Sequence, residues 1–251
     1  MKALILAAGR GTRLGLGHDV PKCLAAVGDR TLLDHYLDVL DALGVHATIV
    51  VGHGAARIER HVAARRAPPT LVLNARYAEG SIVSLAEGLA AIEPGASVGE
   101  VSTGVLLMDG DVAFAPALLH RLLEASAPDA LLVDVGAVFT DEQYMAGIRG
   151  GRVVTLRRAQ ADGHDAQGEW VGFAKLGAPA AERLREAATA QIALGETTGG
   201  YEDALAGLLT EFEFTCVPTG GLPWVEVDFP EDLARAGELL ARGVPRTRST
   251  S

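Results

Sequence analysis

The sequence predicts a doubly wound α/β fold built on a mostly parallel β-sheet. Short apolar runs, such as 3–8 and 47–51, end at glycine and are typical of buried parallel strands. Helical apolar stripes separate these runs, and the connections between them are short. Because 49% of the 251 residues are hydrophobic, the chain can bury one large core. We therefore predict a single domain over 1–242 and a disordered tail over 243–251.

Strands and helices alternate through the first half of the chain. Apolar residues at 32, 33, 36, 37, 40 and 43 form a helical stripe, which Gly44 ends. Pro68 stops the next helix, and Ser81 is a candidate N-cap for the third. Alternation of this kind favours parallel strands whose carboxyl ends share one ligand-binding edge. The predicted elements are strand 3–8, helix 31–43, strand 47–51, helix 55–66, strand 70–73, helix 81–92 and strand 104–108.

The pattern changes from Asp129 onward. Two short strands around Gly150-Gly151 predict a β-hairpin, and a polar stretch after it predicts a flexible loop. Alternation near the end of the chain places Glu226 and Asp228 on one face of a strand. The predicted elements are strand 130–135, hairpin strands 144–148 and 152–156, loop 160–167, strand 169–176, helices 179–194 and 198–209, strand 224–228 and helix 231–242.

A glycine-rich stretch with basic residues follows the first strand, Leu6-Ala-Ala-Gly-Arg-Gly-Thr-Arg-Leu14, and Lys22 lies shortly after it. Glycines let backbone N–H groups approach an anion closely, and Arg13 and Lys22 add positive charge. A P-loop requires Gly-Lys-Ser/Thr, but Thr12 and Arg13 follow the second glycine. The dinucleotide fingerprint requires a glycine where Leu14 stands. We predict a nucleoside-triphosphate site, with a plain glycine turn as the alternative.

Two aspartates separated by a glycine, Asp109-Gly110-Asp111, follow the strand predicted at 104–108. Their carboxylates would repel each other in apolar surroundings. A divalent cation relieves such repulsion, and Mg²⁺ prefers oxygen ligands together with substrate phosphates. The alternative is a solvated turn of the Asp-Gly type.

Charge and cysteine content narrow the classes of partner. The formal net charge is −10, which disfavours a nucleic-acid-binding surface. Cys23 and Cys216 are not spaced like metal ligands, and two single cysteines suit a reducing compartment. Cys23 follows Lys22 and is either a reactive thiol or a packed apolar residue. We find no pattern typical of a signal peptide or membrane span, and we predict a cytoplasmic enzyme, monomeric or homodimeric, without a membrane partner.

Three stretches carry a family resemblance. The first, Leu6 to Leu14 with Pro21-Lys22, resembles the signature of nucleotidyltransferases that make NDP-sugars and CDP-alcohols. Asn74, Tyr77 and Ser84-Leu85 resemble the bacterial choline-phosphate cytidylyltransferases and their phosphonate and inositol-phosphate relatives. Trp224-Val-Glu-Val-Asp228 is similar to the family's closing motif. The resemblance implies a Rossmann-like sheet of the nucleotide-diphospho-sugar transferase type, with a small β lobe inserted on the acceptor side at about 136–225.

The resemblance also implies residue roles. Asp111 and Asp228 would hold Mg²⁺, and Arg13 and Lys22 would stabilise charge as pyrophosphate leaves. Ser84 also has a purely structural interpretation, and an acidic Glu202 suits any helix start. The implied nucleotide contacts are Leu6, Ala7, Ala8, Gly9, Arg10, Gly11, Thr12, Arg13, Lys22, Gly80, Ser81, Ser84 and Asp109. The implied acceptor contacts are Arg158, which lies beside Arg157 at a strand end, Gly172, Phe173, Tyr201, Glu202 and Glu226.

The reaction implied is transfer of CMP from CTP to a small phosphonate or phosphate monoester. A choline cage needs several aromatic rings, and aromatic residues make up only 5% of the chain. Three alternatives stay open: a sugar-1-phosphate nucleotidyltransferase, a choline- or inositol-phosphate cytidylyltransferase, and a non-catalytic nucleotide-sensing scaffold subunit.

Overall fold

The structure is a computed structural model that describes residues 1–17, 20–92, 104–137, 139, 143–160 and 163–243. The tail predicted over 243–251 therefore lies outside the described residues from 244 onward. The strands are β1 (Lys2–Leu6), β2 (Ala26–Val27), β3 (Arg30–Thr31), β4 (Ala47–Val51), β5 (Thr70–Leu73), β6 (Val105–Asp109), β7 (Val112–Phe114), β8 (Ala130–Val135), β9 (Met145–Arg149), β10 (Arg152–Arg157), β11 (Ala166–Leu176), β12 (Phe214–Pro218) and β13 (Trp224–Glu226). The helices are α1 (Leu32–Ala42), α2 (Ala55–Val62), α3 (Ser81–Ala91), α4 (Pro116–Glu124), α5 (Ala178–Ala193), α6 (Tyr201–Leu208) and α7 (Pro230–Gly243).

Nine strands form one mixed sheet in the order β5-β4-β1-β6-β11-β8-β12-β10-β9. Strands β5, β4, β1 and β6 are parallel, so their carboxyl ends share one edge. The other half is largely antiparallel, because β11 runs against both β6 and β8 and because β9 and β10 form the predicted hairpin. The predicted Rossmann-like mixed sheet is confirmed, with its parallel pairing concentrated in the first half of the chain.

Helices cover both faces of the sheet. One core collects apolar side chains of α1, α2, α4 and α7 on one face, including Leu40, Ile58 and Leu119. A second core collects those of α3, α5 and α6 on the other face, including Leu85 and Leu184. Among the described residues, no helix is long and apolar enough to cross a bilayer.

Several predicted element boundaries differ from the observed ones. Helix α2 ends at Val62, four residues before the predicted end. The predicted N-cap role of Ser81 is wrong, because Gly80 occupies the cap position and Ser81 is the first helical residue. The last strand stops at Glu226, so Asp228 lies beyond it, contrary to the predicted shared strand face. Helix α1 begins at a capping box in which Thr31 and Asp34 hydrogen-bond reciprocally.

Two irregular features of the sheet position the site. Strand β11 shifts register between Trp170 and Ala174, where Gly172 has φ +86°. This bulge turns the backbone of Gly172 toward Asp109, at the end of β6. The separate ribbon of β7 and β13 pairs Val112 with Glu226, and so it brings two distant stretches of chain together.

A buried histidine on α1 provides a pH-dependent test of the fold. The ring of His35 is 5% exposed and its Nε2 lies 2.9 Å from the carbonyl oxygen of Phe114. Burial lowers the pKa of His35 from 6.5 to about 4. Between these values the unfolded chain binds a proton that the folded chain does not, so stability falls as the pH is lowered through this window. We expect a loss of about 2 kcal/mol from this group at pH 5 relative to pH 8. Urea unfolding of the wild type and His35→Gln at both pH values measures it; equal pH slopes would contradict the prediction.

Candidate active site

A cleft of about 640 Å³ lies at the carboxyl edge of the parallel strands. It is bounded by the segment after β1, the entry to α3, the turn after β6 and the segment after β13. Every residue predicted to contact the nucleotide lines this one cleft: Leu6, Ala7, Ala8, Gly9, Arg10, Gly11, Thr12, Arg13, Lys22, Gly80, Ser81, Ser84 and Asp109.

The segment after β1 forms a loop that ends over the stem of Lys22. Gly11 adopts φ +58°, and a Cβ on it would lie 2.8 Å from the Cβ of Lys22. A glycine is therefore required where the loop crosses the lysine. The adjacent Cys23 is 3% exposed in the core, and burial raises the pKa of its thiol to about 12. These values favour the packed residue over the reactive thiol.

Three carboxylates meet in the cleft from two strand ends. The ribbon of β7 and β13 places Val227 so that its N–H donates to the carbonyl of Asp111 at 2.8 Å. The N–H of Asp228 donates to the carboxylate of Asp232 in the first turn of α7 at 3.1 Å. As a result, carboxylate oxygens of Asp111, Glu226 and Asp228 lie within 4.8 Å of one another.

Two basic side chains of the loop neutralise part of this charge. The ammonium of Lys22 lies 2.9 Å from Asp111 Oδ2 and also hydrogen-bonds Asp228 Oδ1. Burial by itself lowers the pKa of Lys22, but the two carboxylates outweigh it and raise this pKa above its usual value. The guanidinium of Arg13 lies 3.4 Å from Asp228 and stacks over the ring of Phe229 at 5.6 Å.

The three carboxylates fit a divalent cation such as Mg²⁺. They offer hard oxygen donors from two segments of the chain, and the ammonium of Lys22 already contacts two of them as a positive charge. Glu226 remains open to the cleft; partial loss of hydration there, and then the charges of Asp111 and Asp228, raise the pKa of Glu226 to about 8. The structure thus places Glu226, predicted as an acceptor contact, beside the two predicted metal ligands.

Asp109 is held by two tyrosines at the base of the cleft. The hydroxyl of Tyr201 donates to Asp109 Oδ1 at 2.7 Å, and burial, followed by the charges of Asp111 and Glu202, raises the pKa of Asp109. The hydroxyl of Tyr36 donates to the carbonyl of Asp109 at 2.5 Å and accepts from the N–H of Val112 at 3.0 Å. Tyr36 therefore fixes the turn that carries Asp111, a role its place in an apolar helical stripe did not reveal.

A family model of known proteins matches residues 3–200, which include the glycine loop, Lys22 and the Asp109–Asp111 turn. That model describes the MobA-like NTP transferase domain. The chain belongs to this family.

Curated relatives of this NTP transferase domain include an enzyme named for a product that contains CMP. The bifunctional IPC transferase and DIPP synthase of Rubrobacter xylanophilus is 32% identical over 95% of this chain and 51% of its own length. The CMP-5'-(3-aminopropyl)phosphonate synthase of Streptomyces rubellomurinus is 32% identical over 65% of this chain and 23% of its own length. The chain thus spans about half the length of the first relative and less of the second.

Solved structures share the fold of this NTP transferase domain. The CTP:phosphocholine cytidylyltransferase of Streptococcus pneumoniae aligns with a TM-score of 0.74 at 19% identity, covering 95% of this chain and 98% of that chain. The inositol-1-phosphate CTP transferase of T. maritima aligns with a TM-score of 0.72 at 18% identity, covering 100% of this chain and 97% of that chain.

Most of the residues predicted to contact the acceptor line a second cavity, which we call the acceptor cavity after that prediction. Arg158, Gly172, Glu202 and Glu226 line a cavity that adjoins the nucleotide cleft. Tyr201 lines the nucleotide cleft instead, beneath Asp109. The prediction did not include Gln143, Tyr144, Glu169 and Trp224, which also line the acceptor cavity.

The predicted acceptor contact of Phe173 is wrong for its side chain. Phe173 is 0% exposed, and its ring packs edge-on against Phe114 and Tyr36 in the core. Successive residues of a strand face opposite sides of the sheet. The bulge at Gly172 turns this glycine toward the cleft, so the next side chain, that of Phe173, faces the core.

Ser81 and Ser84, predicted to contact the nucleotide, already have protein partners. Ser81 Oγ accepts from the N–H of Tyr201 at 3.0 Å, and Ser84 Oγ accepts from Nδ2 of Asn74 at 2.9 Å. Each hydroxyl retains its own proton as a donor. Ser81 therefore links α3 to α6, and Ser84 links α3 to the segment after β5. Each serine can still offer a ligand a hydrogen-bond donor.

Replacing Gly172 by alanine tests the contact between β11 and Asp109. A Cβ there would lie 2.5 Å from Asp109 Oδ2, and φ is +86°. We expect Gly172→Ala to lower the free energy of unfolding by about 2 kcal/mol or more, and to lower turnover because Asp109 is displaced. Gly136→Ala is the matched control, since Gly136 has φ +89° but open space around it. If urea unfolding showed equal losses of the free energy of unfolding for the two variants, a collision with Asp109 would not be the cause.

Proposed function

We propose that the protein is a Mg²⁺-dependent cytidylyltransferase that transfers CMP from CTP to a small phosphonate or phosphate monoester, releasing pyrophosphate. One observation carries the proposal. The glycine loop, the cations of Arg13 and Lys22, and the three clustered carboxylates line a single cleft. A transfer between two anions needs positioning and charge neutralisation more than it needs a nucleophilic side chain.

The basic side chains have separate tasks in this proposal. Lys22 would hold the acceptor anion beside the α-phosphate, because its side chain is only 13% exposed and its ammonium lies next to Asp111 and Asp228. Arg13 lies nearer the opening, where its side chain is 56% exposed, and would bind the departing pyrophosphate. Both tasks require permanent charge, which the raised pKa of Lys22 provides.

Bond making and bond breaking then balance without a general base. An ionised oxygen of the acceptor gives its electron pair to the α-phosphorus, and the bond to the β-phosphate oxygen breaks. The electron pair of the broken bond leaves with pyrophosphate, and no proton has to move. Asp111, Asp228 and Glu226 would hold the divalent cation, which when bound supplies further positive charge to the phosphate oxygens.

The names of two relatives support CTP as the nucleotide and a small anion as the acceptor. The relative named for an aminopropylphosphonate product joined to CMP is 32% identical over 65% of this chain. The relative named an IPC transferase matches over 95% of this chain. The few aromatic rings of the acceptor cavity favour a small phosphonate or polar phosphate ester over choline phosphate.

The experiment is pyrophosphate release with Mg²⁺, using each of the four NTPs against phosphonates, choline phosphate, inositol phosphate and hexose 1-phosphates. Turnover with CTP and a phosphonate or phosphate ester is the expected result. Turnover confined to an NTP other than CTP, with a hexose 1-phosphate, would overturn the proposal in favour of a sugar nucleotidyltransferase. Binding of CTP without product, across the whole panel, would support a nucleotide-sensing subunit.

A further inference from the structure

One wall of the nucleotide cleft carries no charge. The segment after β1 brings the cations of Arg13 and Lys22 to the opposite part, where the carboxylates of Asp111 and Asp228 lie beside them. That charged part suits a triphosphate with its cation, so the uncharged wall is left for the nucleobase. The cleft residues of this wall are Tyr77, Ala78, Gly80, Ser81 and Ser84.

Ser84 receives a hydrogen bond from a buried asparagine. Nδ2 of Asn74 lies 2.9 Å from Ser84 Oγ, and the two residues are 1% and 5% exposed. On its other side, the amide of Asn74 accepts from the backbone N–H of Arg76, which lies 2.8 Å from Oδ1. Because a backbone N–H can only donate, the amide oxygen must face Arg76 and the amide nitrogen must face Ser84. The direction of the hydrogen bond to Ser84 is therefore set.

This hydrogen bond leaves Ser84 with a proton to donate. A serine hydroxyl has one proton and two acceptor lone pairs, and Asn74 occupies one of the lone pairs. In the part of the chain that the structure describes, Asn74 is the hydrogen-bond partner of the Ser84 hydroxyl and no residue accepts its proton. Ser84 lines the cleft, so a bound ligand can accept that proton.

Ser81 has the same polarity for a different reason. It lies three residues before Ser84, on the same face of α3, and its Oγ accepts from the backbone N–H of Tyr201 at 3.0 Å. No side-chain substitution can reverse a hydrogen bond that a backbone N–H donates. The polarity of Ser84, in contrast, depends on the single amide nitrogen of Asn74, and it can be changed experimentally.

Cytosine and uracil differ in what the ring nitrogen N3 offers to such a hydroxyl. N3 of cytosine is an acceptor, whereas N3 of uracil carries a proton and is a donor. A hydroxyl that donates therefore matches cytosine. The N3–H of uracil could reach only the second lone pair of Ser84, and the Ser84 proton would then be buried without an acceptor.

We propose that Asn74 is a positioning residue that makes the cleft select CTP over UTP. It holds Ser84 as a donor, and Ser84 donates to N3 of the cytosine ring. This inference rests on the proposed function, which takes CTP as the nucleotide. Asn74 is buried behind the serine and acts on the base only through it.

Binding of CTP and of UTP to the full chain with Mg²⁺, measured by isothermal titration calorimetry, tests the inference without an acceptor. We expect the wild type to bind CTP about 100-fold more tightly than UTP, because a buried donor left without a partner discriminates strongly. Asn74→Leu should reduce this ratio to about 10-fold, because Ser84 can then either donate or accept. Asn74→Asp should abolish or invert it, because a carboxylate accepts the Ser84 proton and leaves a lone pair for the N3–H of uracil.

A second pair of variants separates this role from a purely structural one. Ser84→Ala should also reduce the ratio to about 10-fold, and the double variant Asn74→Leu/Ser84→Ala should show the same ratio as Ser84→Ala alone, because Asn74 acts through Ser84. The ratio compares two ligands on one preparation, so a loss of folded protein does not alter it. Gln160→Glu is the matched control, since it makes the same change from amide to acid on an exposed side chain, and it should keep the full ratio.

The outcomes separate the inference from the function beneath it. Equal binding of CTP and UTP by the wild type, or an unchanged ratio in both single Asn74 variants, would overturn the selection by Asn74. Losses that add in the double variant would overturn the route through Ser84. Product formation from CTP judges the proposed function separately, and a wild type that binds neither nucleotide would overturn that function and the inference with it.

Discussion

Asp111→Asn and Asp228→Asn are each expected to lower turnover by at least about 10²- to 10³-fold while the protein remains folded. Both side chains are partly open to the cleft, with 29% and 24% exposure, so an isosteric amide fits without collision. What is lost is the charge that would hold the divalent cation beside the triphosphate. The measurement is pyrophosphate release at saturating Mg²⁺, together with Mn²⁺ binding followed by electron paramagnetic resonance.

Asp29→Asn is the matched control for these variants. Its side chain is 87% exposed and pairs with Arg30 on the surface, so turnover and Mn²⁺ binding should equal those of the wild type. Circular dichroism and urea unfolding establish that each variant is folded. Full turnover in Asp111→Asn and Asp228→Asn, or wild-type Mn²⁺ binding in both, would refute the assignment of these carboxylates to the metal.

The strands of the sheet were predictable where their sequence is continuously apolar. The segments β4, β5 and β8 begin and end at the predicted residues. Burial of every residue explains the apolar run of β4, whereas β5 is an edge strand whose end residues are exposed. The ends of elements that do not coincide with the end of an apolar run were predicted less well. Helix α2 stops at Val62, before the stretch that leads to Pro68, and β11 begins at Ala166, inside a stretch polar enough to suggest a loop.

The candidate site was predictable where a motif lies within one short stretch. The glycine loop and the Asp109–Asp111 turn identify themselves locally, and both line the cleft. Contacts between distant parts of the chain left weaker signals. Tyr36 supports the turn from 73 residues away, and nothing in its apolar helical surroundings marks its hydroxyl. Gly172 carried a signal, because a glycine inside a strand often marks a bulge or a close approach.

Lys22→Met is expected to reduce turnover by about 10³-fold or more and also to change how the protein responds to divalent cations. In the present structure the ammonium contacts Asp111 and Asp228, two of the carboxylates proposed to hold the metal. Removing the ammonium leaves the negative charges of Asp111, Glu226 and Asp228 close together with less positive charge to neutralise them. We expect the metal-free variant to lose about 2 kcal/mol of stability, because a partly buried charge pair has been broken.

Divalent cations should then stabilise Lys22→Met more than they stabilise the wild type. In the wild type a cation must compete with the ammonium for the same oxygens, whereas in the variant that competition is gone. Thermal unfolding over a Mg²⁺ titration measures the difference, because a ligand that binds only the folded state raises stability in proportion to the logarithm of its concentration over Kd. Lys2→Met, an exposed lysine at the start of β1, should respond as the wild type does. An equal Mg²⁺ response in Lys22→Met and the wild type would mean that the lysine and the cation do not share these carboxylates, and Lys22 would then have to act on the phosphates alone.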